Sequence, residues 1–289
     1  MSLNGIDTAS YQAGLEPGRV PMDFNIVKAT QGVSYVNPDF TRMASATLAA
    51  EKLLGIYHYA GGNDPVKEAD YFLAHIPGYI GKAILCLDWE GMQNHKFGKD
   101  DVNWCKKFCD RVYEKTGVRC FVYTSKSVCR AHNWSSVAKD YPLWCAQYAN
   151  NAQTGYQSSP WTDGGGFGAW SKPVIYQYSS KGTLKGWWEG AGSKKFLDLD
   201  IAFMTEDEWK AYATGSVKPA EVKYPDKSDN DLAVEVLFNV HGTDEKRKKS
   251  LGTRYDAVQA EVEVLVRSVS KTVIATQQYL KKFGCAKLI

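Results

Sequence analysis

Residues 84–91 read ILCLDWEG, an apolar run that ends in two carboxylic acids one residue apart. Because side chains alternate along a strand, Asp88 and Glu90 share one face while Leu87 and Trp89 take the other. Parallel barrels carry their chemistry at the C-terminal ends of their strands. A buried strand that ends in two acids therefore predicts a functional site at the mouth of a barrel.

Seven further apolar runs have the length of strands. They are residues 3–7, 24–30, 54–60, 119–125, 142–148, 173–179 and 196–203. Helical spacing occurs near 38–53, 65–76 and 100–116. Strand and helix in alternation predict a parallel sheet, but eight strands in roughly 200 residues leave little room for eight helices. We therefore expect an α/β fold, an irregular TIM-like (β/α) barrel with eight strands and fewer helices.

A change of pattern divides the chain. Residues 213–230 hold two prolines and no periodicity, as is typical of a linker. Beyond them the pattern is helical only, and Val258, Val262 and Leu265 step by three or four residues along one helix face. We predict a catalytic barrel over residues 1–213, a linker over 214–230 and a small all-α module of three helices over 231–289.

Composition excludes several classes of protein. With 44% hydrophobic and 23% charged residues, the chain has the balance of an ordinary soluble globular protein. Its net charge of +3 is too small for a nucleic-acid-binding stripe, so we expect no nucleic acid partner. No apolar run approaches the roughly 18–20 residues that span a bilayer, so we expect no membrane insertion.

Cysteine and histidine usage indicates the compartment and the chemistry. The seven cysteines form no C-x-x-C pair and most lie in apolar runs, which is typical of buried thiols in a reducing cytoplasm. The N-terminal residues have no basic stretch followed by an apolar core, and so no secretory signal. Five histidines lack metal-ligand spacing. We expect no metal and no cofactor.

Two acids at a barrel mouth suit glycoside hydrolysis, in which a protonated carboxyl gives its proton to the leaving oxygen. Taken alone, the pair equally suits a helix cap or an ion pair with lysine. Other predicted strand ends carry polar and aromatic groups that favour a carbohydrate groove. These are Asp7, Tyr57, His58, Tyr59, Gln147, Tyr148, Gln177 and Asp198.

Seven stretches in this order resemble the catalytic domain of glycoside hydrolase family 25, the lysozymes of phage endolysins and bacterial autolysins. They are GIDTASYQ (5–12), FNIVKATQG (24–32), GIYHYA (55–60), LDWEG (87–91), LWCAQY (143–148), IYQYSS (175–180) and FLDLDIAF (196–203). The resemblance spans roughly residues 3–210. It implies N-acetylmuramidase activity, the hydrolysis with retention of the β-1,4 bond between N-acetylmuramic acid and N-acetylglucosamine in peptidoglycan.

The resemblance also implies roles for single residues. Glu90 would be the general acid, Asp88 would orient the substrate's N-acetyl group or a water, and Asp7 and Asp198 would complete the acidic cluster. The substrate's own 2-acetamido group would serve as nucleophile. Candidate substrate-binding residues are Lys28, Tyr57, His58, Tyr59, Tyr123, Trp144, Gln147, Tyr148 and Gln177. Three positions depart from the family's usual residue, namely Gln31 (usually Glu), Tyr176 (Trp) and Asp200 (Asn).

The C-terminal segment 233–265 resembles the short choline-independent cell-wall-binding repeat of some phage lysozymes. The shared features are Gly242, EKRK at 245–248, Leu251 and YDAVQ at 255–259. The resemblance implies binding to the bacterial cell wall, with Arg247, Tyr255 and Gln259 as candidate contacts. Because a single copy should bind weakly, we expect a homo-oligomer through the helix at 255–282. A helical packing domain without a ligand is the alternative.

The combined expectation is a phage endolysin that acts on peptidoglycan glycan strands. Without a signal peptide it would stay in the host bacterial cytoplasm until lysis and then reach the cell wall. Two alternatives are a non-catalytic wall-binding protein on a dead barrel and another substrate-assisted hexosaminidase. A chitinase-like enzyme would need a further aspartate where Cys86 stands. The GGGFG stretch at 164–168 predicts a mobile loop beside the groove.

Overall fold

Eight strands close into a barrel in the first of the two units into which the chain divides, Met1–Val217 and Lys218–Ile289. The structure is a computed structural model that describes residues 2–187, 196–217 and 227–282. The strands are β1 (Leu3–Thr8), β2 (Phe24–Gln31), β3 (Tyr35–Val36), β4 (Leu53–Tyr59), β5 (Ala83–Asp88), β6 (Phe121–Ser125), β7 (Leu143–Ala146), β8 (Ile175–Gly182) and β9 (Leu197–Ala202). The short β3 pairs only with β2, so the other eight strands form the barrel.

One barrel strand runs against the rest. Neighbouring strands from β1 through β8 pair in parallel, whereas β9 is antiparallel to both β8 and β1. The prediction of a parallel sheet is therefore wrong for β9. As a result β9 begins at the mouth, the end of the barrel where the parallel strands finish, and this places Asp198 directly opposite Asp7.

Helices surround the barrel unevenly. Those of the first unit are α1 (Phe40–Ala49), α2 (Pro65–His75), α3 (Asp101–Thr116), α4 (Lys126–Ala131), α5 (Ser135–Ala138) and α6 (Glu206–Thr214). The first three are full helices on the outer face, whereas α4 and α5 are short. Gly117, with a φ of 71°, ends α3 in the left-handed conformation that glycine adopts at little cost. The prediction of a barrel with fewer helices than strands is confirmed.

Alternation along the strands separates two apolar layers. The outward side chains pack beneath the helices, while an inward set fills the lower half of the barrel, namely Phe24, Ile26, Ile84, Cys86, Phe121 and Ile175. Trp209 of α6 closes the bottom, its ring centroid 4.6 Å from that of Phe24. Fully burying such a side chain contributes roughly 1.5–3 kcal/mol. This plug closes the lower end of the barrel.

In the described part of the second unit, residues 227–282, there are three helices, as predicted. They are α7 (Asp229–Leu237), α8 (Asp244–Leu251) and α9 (Tyr255–Lys282). Ser228 begins α7 by accepting a hydrogen bond from the Asp231 amide, 3.1 Å away. The small core consists of Leu232, Ala233, Val236, Leu251 and Val258, against which Tyr255, Val262 and Leu265 pack. In the described parts of the chain, no helix has the length and apolar content that a membrane crossing requires.

Candidate active site

The Asp88–Glu90 pair is held at the mouth by the residue between its members. Trp89 is fully buried on the outer face, where its indole donates to an Asp101 carboxylate oxygen at 2.8 Å. Its amide donates to the Tyr123 carbonyl at 2.9 Å. With Trp89 anchored outward, alternation directs Asp88 and Glu90 inward. Asp88 is only 5% exposed, whereas Glu90 is open to solvent.

The two carboxyl groups are close enough for each to shift the pKa of the other. Burial raises the pKa of Asp88 well above its ordinary value, and the neighbouring Glu90 charge adds to this rise. Burial by the surrounding protein raises the pKa of Glu90 too, although the hydrogen bond with Asp88 works against that rise. The Lys28 ammonium lowers both pKa values. Because two neighbouring carboxylates repel each other, the pair retains one proton at higher pH than an isolated acid does.

One carboxyl oxygen of Asp88 is available to accept a hydrogen bond. Its Oδ1 is buried and has no hydrogen-bond partner among residues 2–187, 196–217 and 227–282. A buried acceptor without a partner is costly unless something else satisfies it. A substrate N–H group placed in the mouth would do so.

A second group of acids faces this pair from β1 and β9. Burial and then the Asp200 charge raise the pKa of Asp7 well above its ordinary value. Burial, followed by the charges of Asp7 and Glu90, does the same for Asp198. Burial raises the pKa of Asp200 to about 7. All four predicted catalytic acids therefore surround one mouth, and Asp200 adds a fifth.

Gln177 on β8 has its amide orientation fixed by the surrounding groups. Its Oε1 accepts hydrogen bonds from the hydroxyls of Tyr123, at 2.8 Å, and Tyr148. Its Nε2 must then be the donor to Asp7, which it reaches at 2.6 Å. Trp144 packs on Tyr123 with 4.5 Å between ring centroids. These predicted substrate-binding residues form one connected wall of the mouth.

Tyr57, Lys28 and Tyr59 form the other wall. Burial and the neighbouring acids raise the pKa of Tyr57, so its hydroxyl stays a donor. The Lys28 ammonium lies 4.5 Å from the ring centroid of Tyr59 and donates to Gln31 at 2.8 Å. Burial lowers the pKa of Lys28, although the charges of Asp88 and Glu90 oppose this. This wall thus places the Lys28 ammonium near the carboxyl groups of Asp88 and Glu90.

His58 lies outside the mouth, and its prediction as a substrate contact is corrected. Its ring is fully buried on the outer face of β4, with Nδ1 2.8 Å from the Thr30 hydroxyl and Nε2 2.9 Å from Glu68 of α2. The ring stacks on Phe108 at 5.1 Å. Because Tyr57 and Tyr59 face inward, the residue between them must face outward.

Gln147 is also turned away from the mouth, which corrects its prediction as a sugar contact. Its Nε2 donates to Asp163 at 2.9 Å, and its Oε1 accepts from the Thr162 hydroxyl at the same distance. The amide therefore fastens the loop between β7 and β8 to the end of β7. Lys126, only 2% exposed, holds the same loop through an ion pair with Asp163 at 2.5 Å.

Sequence reasoning did not assign functional roles to Asp200, Lys126 and Asp163. Asp200 could have been found, since it follows Asp198 by two residues and so shares its face of β9. Lys126 and Asp163 are far apart in the chain and no local pattern links them. Among the described residues, no group of three or more His, Cys, Asp or Glu side chains could hold a metal ion.

Asp200→Asn should make the barrel more stable at pH 8 and flatten its stability against pH. The folded pKa of Asp200, about 7, exceeds the ordinary value of 3.8. The stabilisation of the folded barrel by Asp200 is therefore fully present below about pH 4 and is lost as pH rises through about 7. An asparagine can still accept from the Trp144 indole, now 2.7 Å from Asp200. We expect a gain on the order of 2 kcal/mol at pH 8.

Thermal unfolding of the wild type and Asp200→Asn at pH 5 and pH 8 measures this. Asp23→Asn is a matched control, because Asp23 is exposed and accepts a single hydrogen bond from the Asn4 amide at 2.8 Å. An Asp200→Asn protein whose melting temperature changes with pH as much as that of the wild type contradicts the prediction.

In the second unit, Arg247 of α8 links the loop that precedes α8 to α9. Its Nε donates to the Gly242 carbonyl at 3.0 Å, and its Nη1 donates to Gln259 at 2.9 Å. The half-buried Tyr255 lies in the first turn of α9, with the Lys248 ammonium 5.8 Å from its ring centroid. Two of the three predicted wall contacts, Arg247 and Gln259, are thus in direct contact.

Comparison with known proteins agrees with this geometry. Residues 6–187 match the family described as Glycosyl hydrolases family 25, and residues 230–266 match the CW_7 repeat. The N,O-diacetylmuramidase of Chalaropsis is 30% identical over 230 residues, which cover 74% of this chain and 100% of that protein.

Solved structures share the fold of the barrel. The bacterial lysozyme from Streptomyces coelicolor has a TM-score of 0.60 at 21% identity, over 74% of this chain and 98% of that one. The catalytic domain of endolysin ply40, from bacteriophage P40 of Listeria monocytogenes, has a TM-score of 0.56 at 22% identity, over 74% and 98%. With the family match covering more than half of its length, this chain belongs to glycosyl hydrolase family 25 and is a glycoside hydrolase.

Proposed function

We propose that this protein is an N-acetylmuramidase that cuts the β-1,4 bond between N-acetylmuramic acid and N-acetylglucosamine in peptidoglycan. The observation that carries the proposal is the Asp88–Glu90 pair, which retains a proton at the open end of a barrel walled by aromatic and amide groups. The family match and the similarity to the Chalaropsis enzyme support the choice of substrate.

In this proposal Glu90 protonates the glycosidic oxygen as the bond to C1 of the muramic acid unit breaks. A general acid must hold its proton near neutral pH, and the desolvation that raises the pKa of Glu90 favours that. The departing N-acetylglucosamine end takes the proton as its 4-hydroxyl. The Glu90 carboxylate then removes a proton from the water that attacks C1, which restores the acid.

The substrate's 2-acetamido oxygen is the proposed nucleophile, which leads to retention. Mechanisms with two protein carboxylates place them about 5–9.5 Å apart, on opposite sides of the sugar. Asp88 instead ends β5 and Glu90 follows it by two residues on the same face, so neither lies across C1 from the other. The Oδ1 of Asp88 is then available to accept the acetamido N–H and to stabilise the cyclic cation that forms.

A reducing-end assay tests the proposal. Purified peptidoglycan is digested, reduced with borohydride and analysed by mass spectrometry. Muramitol ends support the proposed bond, whereas glucosaminitol ends keep the hydrolase and overturn the bond. The absence of new ends would favour the alternative of a barrel without activity. Proton NMR of the first product anomer reports retention or inversion.

We also propose that the C-terminal module binds the bacterial cell wall. The match of residues 230–266 to the CW_7 repeat supports this. That the protein is a phage endolysin, stays in the host bacterial cytoplasm until lysis and self-associates through α9 stays a prediction. Sedimentation of the purified chain at several concentrations measures the self-association.

A chain that ends at Val217 should keep its turnover of small muropeptides and lose wall binding. The first unit ends there, just after Gly215 closes α6. Removal of a tethering site should reduce the wall-bound fraction about tenfold. Co-sedimentation with purified walls measures binding, and Arg247→Ala in the full chain is the matched point variant. Unchanged sedimentation of the shortened chain would refute the role of the module.

A further inference from the structure

Glu90 lies beyond the last paired residue of β5, so the sheet does not fix its position. The final pair of the β5–β6 ladder joins Asp88 to Tyr123, and Glu90 follows two residues later. Within the residues that the structure describes, neither the amide nor the carbonyl of Glu90 has a hydrogen-bond partner. The place of the proposed general acid therefore depends on the residue that precedes it, Trp89.

Trp89 is held by its main chain and by the packing of its ring. Its amide donates to the Tyr123 carbonyl at 2.9 Å, and its carbonyl accepts from the Thr124 hydroxyl at 2.9 Å. The fully buried ring packs against those of Trp104 and Phe97, with 4.9 and 6.1 Å between the ring centroids. Apolar contacts of this kind are not directional, so they do not select one orientation of the indole within its plane.

Asp101 supplies the directional contact to this ring. Its Oδ1 accepts from the Trp89 indole at 2.8 Å, and the residue is only 4% exposed. Asp101 is the first residue of α3, where the partial positive charge of the helix N-terminus stabilises a carboxylate. The Nε2 of His132 lies 3.8 Å from its Oδ2. A buried acceptor at the start of a long helix thus determines the orientation of the indole, and with it the course of the main chain into Glu90.

We propose that Asp101 is a positioning residue for the general acid, which acts through the Trp89 indole and does not itself touch the substrate. The inference rests on the proposed role of Glu90. Trp89 belongs to the apolar layer outside the barrel, so the contact reaches the mouth through the main chain that joins Trp89 to Glu90. A displacement of about 1 Å at a reacting group can lower the rate about 10²-fold.

Asp101→Ala should lower kcat about tenfold to a hundredfold on soluble, uncrosslinked peptidoglycan strands and leave KM within about twofold, because the substrate still binds but the acid is displaced. Asp101→Asn retains an acceptor oxygen at the same distance from the main chain and should restore kcat to within about threefold of the wild type. Both are assayed well below their melting temperatures, so that a purely structural role for Asp101 leaves kcat unchanged.

Asp100→Ala is the matched control, because Asp100 stands at the same helix N-terminus but accepts from Asn103, at 3.2 Å. Its kcat should equal that of the wild type. A fall in Asp100→Ala as large as that in Asp101→Ala would assign the effect to charge at the start of α3 and overturn the inference. An equal fall in Asp101→Asn would also overturn it, since the acceptor oxygen is then present.

Trp89→Phe removes the same hydrogen bond from the other side and keeps an aromatic ring in the layer, so it tests the inference even if Asp101→Ala does not fold. Its kcat should also fall about tenfold or more. If Asp101 acts through the indole, the double variant Trp89→Phe/Asp101→Ala should have a kcat within about twofold of that of Trp89→Phe. Two effects that multiply in the double variant would contradict a shared route.

Carbon-13 NMR of the Glu90 carboxyl, with labelled glutamate and no substrate, separates this inference from the proposed function. The signal is assigned by its loss in Glu90→Gln. Burial raises the pKa of Glu90, so a displaced Glu90 in Asp101→Ala should titrate closer to the ordinary value of 4.5, while Asp100→Ala should titrate like the wild type.

A wild type that forms no muramitol ends refutes the muramidase proposal, and the Glu90 titration alone then decides the positioning role. In an active wild type the inference requires both changes. If Asp101→Ala leaves either kcat or the Glu90 titration as in the wild type, Asp101 does not position the acid.

Discussion

Glu90→Gln should reduce peptidoglycan hydrolysis by a factor of about 10²–10⁴ while the barrel stays folded, because a positioned general acid contributes that much. Glutamine has the size of glutamate and fits the same place after Trp89. It has no acidic proton to give to the glycosidic oxygen. Since Glu90 is exposed, the change should cost little stability.

Kinetics on purified peptidoglycan, with circular dichroism for the fold, measure the effect. Glu114→Gln on α3 is the matched control, because Glu114 is exposed and, within the described residues, pairs with Arg111 alone. In the wild type, kcat/KM should fall as pH rises, because the Asp88–Glu90 pair then loses the proton that the reaction uses. Activity of Glu90→Gln within about tenfold of wild type would remove Glu90 from the acid role.

The barrel could be predicted from the sequence because its strands are short apolar runs, several of them separated by helical patterns. The eight predicted runs all coincide with barrel strands. The direction of β9 could not be predicted from the sequence, because the residue pattern at 196–203 fits a parallel strand and an antiparallel strand equally well. Its reversal follows from pairing with β8 and β1, contacts between distant parts of the chain.

The site was predicted best where alternation was applied. Alternation of side chains places Asp88 and Trp89 on opposite faces of the strand. The same alternation turns His58 and Gln147 away from the mouth, because their neighbours Tyr57 and Tyr148 face it. Those two predictions took every polar or aromatic group at a predicted strand end together and did not apply the strand period within each end. The Lys126–Asp163 ion pair had no sequence signal, because it depends on a loop that folds back over α4.

The raised pKa values of the acids could be expected only in part. Two acids one residue apart predict mutual repulsion at a strand end. The value of about 7 for Asp200 arises mainly from its burial between β8 and β1, with Trp144 as its hydrogen-bond donor. Burial of this depth is a property of the closed barrel and no feature of the local sequence reports it.

The buried carboxylate of Glu68 lies on the outer face of the barrel and binds groups at the end of β4. Its Oε2 accepts from His58 at 2.9 Å and from the Gly61 amide at 2.9 Å, while its Oε1 accepts from the Asn63 amide at 2.6 Å. The Gly61 carbonyl in turn accepts from the His95 amide at 3.2 Å, in the loop that follows Glu90. The network thus ties α2 and the end of β4 to that loop.

Glu68→Ala should lower the free energy of unfolding by about 3–5 kcal/mol, because it leaves several buried donors without an acceptor. Burial alone would raise the pKa of Glu68, but the hydrogen bonds from His58 and Gly61 outweigh burial and lower it. The stabilisation is therefore present at neutral pH and is lost as pH falls through that lowered pKa.

Calorimetry at pH 7 should show the barrel melting about 10 °C lower in Glu68→Ala than in the wild type. Glu114→Ala makes the same change on the next helix, where the carboxylate is exposed and pairs with Arg111 at 3.1 Å. An exposed pair of this kind contributes less than about 1 kcal/mol, so the control should melt close to the wild type. Equal melting of the two variants would show that His58 and Glu68 add no stability beyond a surface ion pair. A selective loss at Glu68 would show that the buried network of Glu68 with His58, Gly61 and Asn63 stabilises the barrel.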